Sequence, residues 1–557
     1  MLDGECSFVS PASWCNRHSA GVGHVHGARP GVPLHIRRTS ASRLGASTSE
    51  AYTKGFFSVE EDESSYEIAV DSENVYGRVP EDLNGTLFRV MPGKVDSHGD
   101  ALKSYYDGDG MVVGISFGED AVFVRHRCIR TKAYDREKRR KKRLYRGLYG
   151  SVLPGGNLAN FAVKIKQTAN RFGVNYGGRL LALNDWGLPY SVDPASLLTR
   201  GNTNLRTELD DGDKMIPSSR ICKDNLILAS KSFTPFGMSV RFTEFKGDYR
   251  LVGSQSAALT SFLTQDFAVT EKYFVIVQPA LSLDLNSLVL GSKKTYQEAL
   301  SPKGKTSQIV VVDRKSGASK KIDLQDTNSV IGRIANAYDE VEGNVTIDAI
   351  SHERVFFGDG LTSNDYANDV PRSKLVRIRV DVQAKTSDLT VLSDYHCDYP
   401  VVDSSDGRMH KHIYSLSNNE AKISPPRGIM KTNPKEKTNE VWVPESPSQY
   451  CSAPAFAPRE GATDSTAGYI VTVVFDSETE QSSVAILDSE AFTDGPVCWI
   501  RLESPVPHGV CSSWSNSVYS IKDAKKTNSF EIFKDKGWNT VDSGFSMIGM
   551  QGFEDEF

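Results

Sequence analysis

The chain has no Cys-x-x-Cys pair. Its eight cysteines, at 6, 15, 128, 222, 397, 451, 498 and 511, are scattered over the whole length. That excludes a zinc ribbon and argues against a disulfide framework. No apolar run approaches the ~18–20 residues that a helical membrane span requires, so any membrane contact is expected to be peripheral. Positive charge is not in excess: 65 Lys and Arg stand against 70 Asp and Glu, a net charge of -5. There is therefore no electrostatic case for a nucleic-acid partner. A secretory apolar core near the N-terminus is also missing, and no Trp-Asp or kelch-type repeat recurs.

What is present fits a globular chain of 557 residues, with 39% hydrophobic and 24% charged residues. Short β-branched and aromatic runs alternate with Gly, Asp, Asn or Pro turns from Tyr66 onward. Such runs fall at 86–90, 111–117, 121–128, 180–183, 226–229, 273–277, 308–312, 345–350, 375–380, 470–475 and 483–487. Regularly spaced strands without a long helical period predict an all-β sandwich, barrel or propeller, and a chain of this length favours the propeller. Residues 1–50 differ in kind. Acidic residues stop at Glu5, and Ser, Ala, Gly, Arg and His dominate up to Arg43. Two readings stay open, a plastid transit peptide or a disordered tail on an otherwise cytoplasmic protein. Residues 51–557 are expected to form the folded body. The basic run 136–146 is expected to be a solvated loop, with an anionic membrane surface as the alternative.

Several strings occur in an order with a parallel elsewhere. Val79-Pro80-Glu81-Asp82-Leu83-Asn84-Gly85-Thr86-Leu87-Phe88-Arg89 opens the series, and Tyr106-Asp107-Gly108-Asp109-Gly110-Met111 follows. Later come Leu181-Ala182-Leu183-Asn184-Asp185-Trp186-Gly187, Gln265-Asp266-Phe267-Ala268-Val269-Thr270-Glu271 and Arg333-Ile334-Ala335-Asn336-Ala337-Tyr338. Val506-Pro507-His508-Gly509-Val510-Cys511 completes the set. Together they resemble the carotenoid cleavage oxygenases. The resemblance implies a seven-bladed β-propeller with a helical cap over a hydrophobic tunnel, and a carotenoid or apocarotenoid as partner.

The resemblance also implies a metal centre that this sequence does not reproduce. Family members hold Fe(II) with four histidines, and the matching positions here are Ser218, Gln265, Arg333 and Cys511. Three glutamates that orient those imidazoles in the family fall at Asp185, Asp398 and Ala453. A guanidinium has no acceptor lone pair, so Arg333 cannot ligate iron. The expectation is that no cofactor is held and that Arg333 pairs with Asp398 within about 4 Å. His410 and His412 would share one strand face, a weak start for a relocated metal site. His508 is a candidate acid or base beside the tunnel, or else a partly exposed loop residue. His98, His126, His352 and His396 show no ligand spacing.

Two functions then remain open: binding of a carotenoid or apocarotenoid, or its metal-free, non-cleaving conversion. Conversion would draw on Arg333, Asp398, Asp185, His508 and Cys511. An iron-dependent cleavage dioxygenase with a non-standard metal site is the alternative.

Overall fold

Alternating apolar side chains commit a strand to burying one face, and short strands joined by tight turns bury that face by stacking sheet on sheet. Every run singled out above lies within a strand. The computed structural model describes residues 49–526 apart from 98–99, 235–236, 262, 303–305, 326–328, 359, 405, 462–463 and 465. The segment expected to be a transit peptide or tail lies outside the described residues but for its last two positions, which open a short helix over 49–53.

Seven antiparallel sheets follow one another along the chain as blades. Blade 1 contains Glu63–Ala69, Ala121–Cys128, Asp109–Phe117 and Gly85–Lys94. Blade 2 spans Phe172–Tyr176 to Thr199–Asn202, blade 3 Lys214–Cys222 to Arg250–Leu259, and blade 4 Ala268–Val269 to Ser319–Asp323. Blade 5 spans Val330–Asp339 to Thr386–Ser393, blade 6 Cys397–Val402 to Thr438–Trp442, and blade 7 Gln449–Cys451 to Pro496–Arg501. Two exchanged strands close the ring. Val75–Gly77 pairs with Pro496–Arg501 in blade 7, and Ser513–Ser515 pairs with Gly85–Lys94 in blade 1. The closure ties the first and last blades together.

The core is a ring of seams rather than one nucleus. Seven apolar clusters each lie between two neighbouring blades. In the seam between blades 3 and 4, Phe242 stacks on Phe274 with ring centres 4.6 Å apart. An eighth cluster, rich in tyrosine, sits under the short helices and loops of the cap and includes Tyr52, Tyr106, Tyr149 and Tyr366.

The Asp-Gly-Asp-Gly string has a structural job. Asp107 is buried, and its carboxylate accepts the backbone N–H groups of Leu148 (2.8 Å), Tyr149 (3.0 Å), Gly150 (3.0 Å) and Ser151 (2.8 Å). Asp109 shares the buried Lys166 ammonium with Glu137, at 2.7 and 2.6 Å. This clamp fixes Tyr149 over the centre of the ring. The basic run is exposed at Arg136 and over Lys138–Lys142, as expected, but it is not all loop. Its first part ends a helix, Lys132–Arg140, capped by Thr131, because Thr131 accepts the N–H of Tyr134 at 3.0 Å. Arg146 is buried, donating to the Leu288 carbonyl at 2.8 Å, so it ties the cap together instead of facing solvent.

Candidate functional site

The inner strands contact one another in a closed ring, and each blade sends one of the seven singled-out positions toward the middle. Ser218 lies on Lys214–Cys222, Arg333 on Val330–Asp339 and Asp398 on Cys397–Val402. Gln265 precedes Ala268–Val269, and Asp185 follows Arg179–Leu183. Ala453 stands between Gln449–Cys451 and Ala455–Pro458, and Cys511 stands before Ser513–Ser515. Three of the inner strands break register beside these positions, between Met215 and Ser219, Ile331 and Arg333, and Asp398 and Val401. A bulge re-aims a side chain that strict alternation would bury in a seam. Tyr399, inside the third bulge, has φ +54°, a left-handed backbone unusual for a bulky residue.

Arg333 and Asp398 meet: Nε lies 2.9 Å from Oδ1, well inside the 4 Å reach of an ion pair. The N–H does not point at that oxygen, so the contact is ionic and Nε has no hydrogen-bond partner. The guanidinium also lies over the Tyr399 ring, 4.2 Å from its centre. His352 approaches the second oxygen of Asp398 at 3.5 Å. Burial by itself would raise the Asp398 carboxyl, but Arg333 first, then His352, hold it well below the usual carboxylate range. Arg333 responds in kind. Burial would lower it, and Asp398 and Tyr399 hold it above its ordinary value.

A parallel arrangement stands opposite. Asp185 accepts the Tyr149 hydroxyl and lies 3.3 Å from Arg171 Nε. Arg171 covers the Tyr106 ring at 3.6 Å, and the Tyr106 and Tyr399 hydroxyls are 3.5 Å apart. The two halves thus join as arginine, tyrosine, tyrosine, arginine. A third guanidinium, Arg89, is fully buried under the 508–511 loop. A Cβ on Gly509 would lie only 2.2 Å from its Nη2, so only glycine admits it there. The Cys511 thiol feels all three arginines, yet burial outweighs them and pushes it up to about 11.

Cavities border this network. One is lined by Gln265, Arg333, His352, Phe356 and apolar residues including Leu263, Val330, Ile331 and Val355. Another shares His352 and Phe356 and reaches Asp398, Tyr399, Tyr52 and Tyr366. A third holds Arg171, Asp185, Tyr106 and Tyr149. Arg333 keeps 24% of its side-chain surface accessible while sitting deep in the protein, because it faces its cavity.

Other expected positions behave differently. His508 is buried, not partly exposed, and lines none of these cavities. It stacks on Tyr52 at 4.7 Å, with Phe56, Tyr450 and Phe475 around it. Burial, then Arg89, pushes its imidazole down to about 3, with the Tyr52 backbone offsetting a little. His410 and His412 precede the strand Ile413–Ser417 instead of sharing its face. Each serves a separate carboxylate, Asp348 at 2.9 Å and Asp403 at 2.9 Å. His352, which had no ligand spacing, stands at the site. Arg89 and Tyr106 lie inside strings singled out in the sequence, and Tyr399 follows Asp398, but none of the three carried a mark of function. Arg171 had no signal at all.

These residues do not fit a ferrous centre. The four positions that the resemblance implies as ligands carry a hydroxyl, an amide, a thiol and a guanidinium, and the guanidinium is already ion-paired. Among the described residues no group of three or more His, Cys, Asp or Glu side chains is arranged to hold a metal ion.

Fold and site together define a seven-bladed propeller with an axial polar centre beneath an aromatic cap, built around the Arg333–Asp398 and Arg171–Asp185 ion pairs. The chain belongs to the carotenoid oxygenase family: the family model described as Retinal pigment epithelial membrane protein matches residues 56–516. It is 26% identical over 460 residues to the apocarotenoid-15,15'-oxygenase of Synechocystis, covering 80% of this chain and 93% of that protein. It is 25% identical over 489 residues to resveratrol cleavage oxygenase 1 of Aspergillus fumigatus, covering 79% and 91%. The solved structure of cobalt-substituted Synechocystis ACO superposes with a TM-score of 0.78 at 25% identity, covering 84% of this chain and 99% of that one.

Proposed function

We propose that this protein binds a carotenoid or apocarotenoid between the cap and the propeller and releases it uncleaved, without iron. The observation behind this reading is the Arg333–Asp398 pair, a paired cation where the family resemblance implies an iron ligand. Binding is favoured over metal-free conversion by the state of the available acids and bases. Asp398 is held as an anion, His508 is neutral and caged by aromatic rings, and the raised Cys511 pKa keeps it a thiol at neutral pH. None of the three is poised near pH 7, where a proton-transfer catalyst works best. Relatives named for apocarotenoid, resveratrol and isoeugenol support a conjugated, largely apolar ligand.

The test is metal content and absorption of protein produced with added iron, followed by incubation with apocarotenoids and mass analysis of what is recovered. Sub-stoichiometric iron with the pigment bound and recovered at unchanged mass supports the reading. An isomer or a water-shifted product would replace it with metal-free conversion. Stoichiometric iron with two carbonyl fragments would replace it with oxidative cleavage.

A further inference from the structure

The middle of the ring has more buried hydrogen-bond donors than acceptors. Arg89 is fully buried, and its Nε and both Nη atoms have no acceptor among the described residues. Nε and Nη1 of Arg171, Nε of Arg333 and Nε2 of Gln265 are in the same condition. The nearby carboxylates are already engaged: Asp398 with Arg333 and His352, and Asp185 with Tyr149 and Arg171. Among the other charged groups, Lys231 adds a cation within electrostatic reach of Asp185, and it donates to the Thr264 carbonyl at 3.0 Å. Arg220 sits between Asp266 and Asp406, at 2.9 and 3.7 Å, and is matched. Buried donors without acceptors are costly, and a cluster of them is what an acceptor-rich ligand would satisfy.

We propose that the axial centre is an anion site that takes the carboxylate end of a long apolar acid, with Arg333 and Gln265, which line one cavity, as donors and Arg171 and Arg89 as further buried positive charge. This deepens the binding function proposed above and rests on it. The arginines are preorganised. Arg171 and Arg333 lie over the Tyr106 and Tyr399 rings, and the two tyrosine hydroxyls hold the halves together. A planar carboxylate matches the guanidinium fork, and each charge-assisted bond is stronger than a neutral one. The tail is specified by the wall that continues from Arg333 and Gln265, where Val330, Ile331, Val355 and Phe356 offer no polar partner. A small inorganic anion would satisfy the donors but leave that wall unused.

The experiment compares matched all-trans polyenes ending in carboxylate, aldehyde or alcohol, titrated into the full-length protein and followed by fluorescence quenching. Acetate is titrated separately and followed by melting temperature. The acid should bind about 10- to 100-fold tighter than the alcohol, the ratio that one or two charge-assisted bonds give. That margin should collapse in Arg333→Met. It should shrink severalfold in Gln265→Leu, which removes no charge and keeps the test valid should the arginine variant fail to fold. Acid and alcohol binding equally would overturn the anion site while leaving polyene binding in place. Stabilisation by acetate with no polyene bound would assign a small-anion site and sink both the tailed-acid proposal and the binding function. No response to any probe would mean the donors are merely hydrated, and would likewise sink both.

Discussion

Replacing Asp398 by Asn is the sharpest perturbation of the centre, since it removes one charge and almost no volume. Its partner Arg333 would then be a cation deep in the fold with only the Tyr399 face against it. Breaking a buried ion pair from one side costs about 3–5 kcal/mol. Because 24% of Arg333 and 15% of Asp398 stay accessible to the cavities, the expected loss is about 2–3 kcal/mol, at and just below the lower end of that range. Arg333→Met should cost a similar amount by stranding the carboxylate. The double variant, with neither charge present, should be no worse than either single one, giving a coupling of about 2 kcal/mol in a urea-unfolding cycle. The pH dependence follows from linkage. The folded-state pKa of Asp398 lies below its unfolded value of 3.8, so the pair's stabilisation is full well above pH 3.8 and fades as pH falls through the lower folded value. The gap between wild type and Asp398→Asn should therefore close in acid. Additive losses, or an Asp398→Asn loss under about 0.5 kcal/mol at pH 7, would refute the reasoning.

Further outcomes are expected elsewhere. His508 has a folded pKa of about 3 against an ordinary 6.5, so the unfolded chain takes up its proton first and stability drops as pH falls from 6.5 toward 3. His508→Phe should remove up to about 5 kcal/mol of that acid sensitivity, read as a flatter stability profile between pH 6.5 and 3. Asp107→Asn replaces an acceptor of four backbone N–H groups with a side chain that points an NH₂ at two of them. A loss of about 2–4 kcal/mol and faster tryptic cleavage around Arg139–Arg143 should follow. Phe242→Ala opens the seam between blades 3 and 4 and should cost about 3–5 kcal/mol by urea unfolding.

The sequence by itself determined the strands, since alternation and turn residues act over a few positions and need no distant partner. Runs such as 273–277 and 470–475 are strands because their local pattern admits little else. It also shows Ser218, Gln265, Arg333 and Cys511 where the family resemblance implies imidazoles, because residue identity at a motif position is read directly. The Arg333–Asp398 pair could be anticipated across 65 positions only because the family's ring of ligands says which blades face each other. Where no such frame existed, the tertiary structure alone decided. Arg171 meets Tyr106 and Asp185, and Arg89 lies under Gly509, through the closure of a seven-blade ring. His352 reaches Asp398 because blade 5 packs against blade 6. His508 is caged because residue 52, far away in the chain, drops a tyrosine onto it. A local pattern fixes which face of a strand is apolar; which charges meet at the axis depends on how seven such faces close.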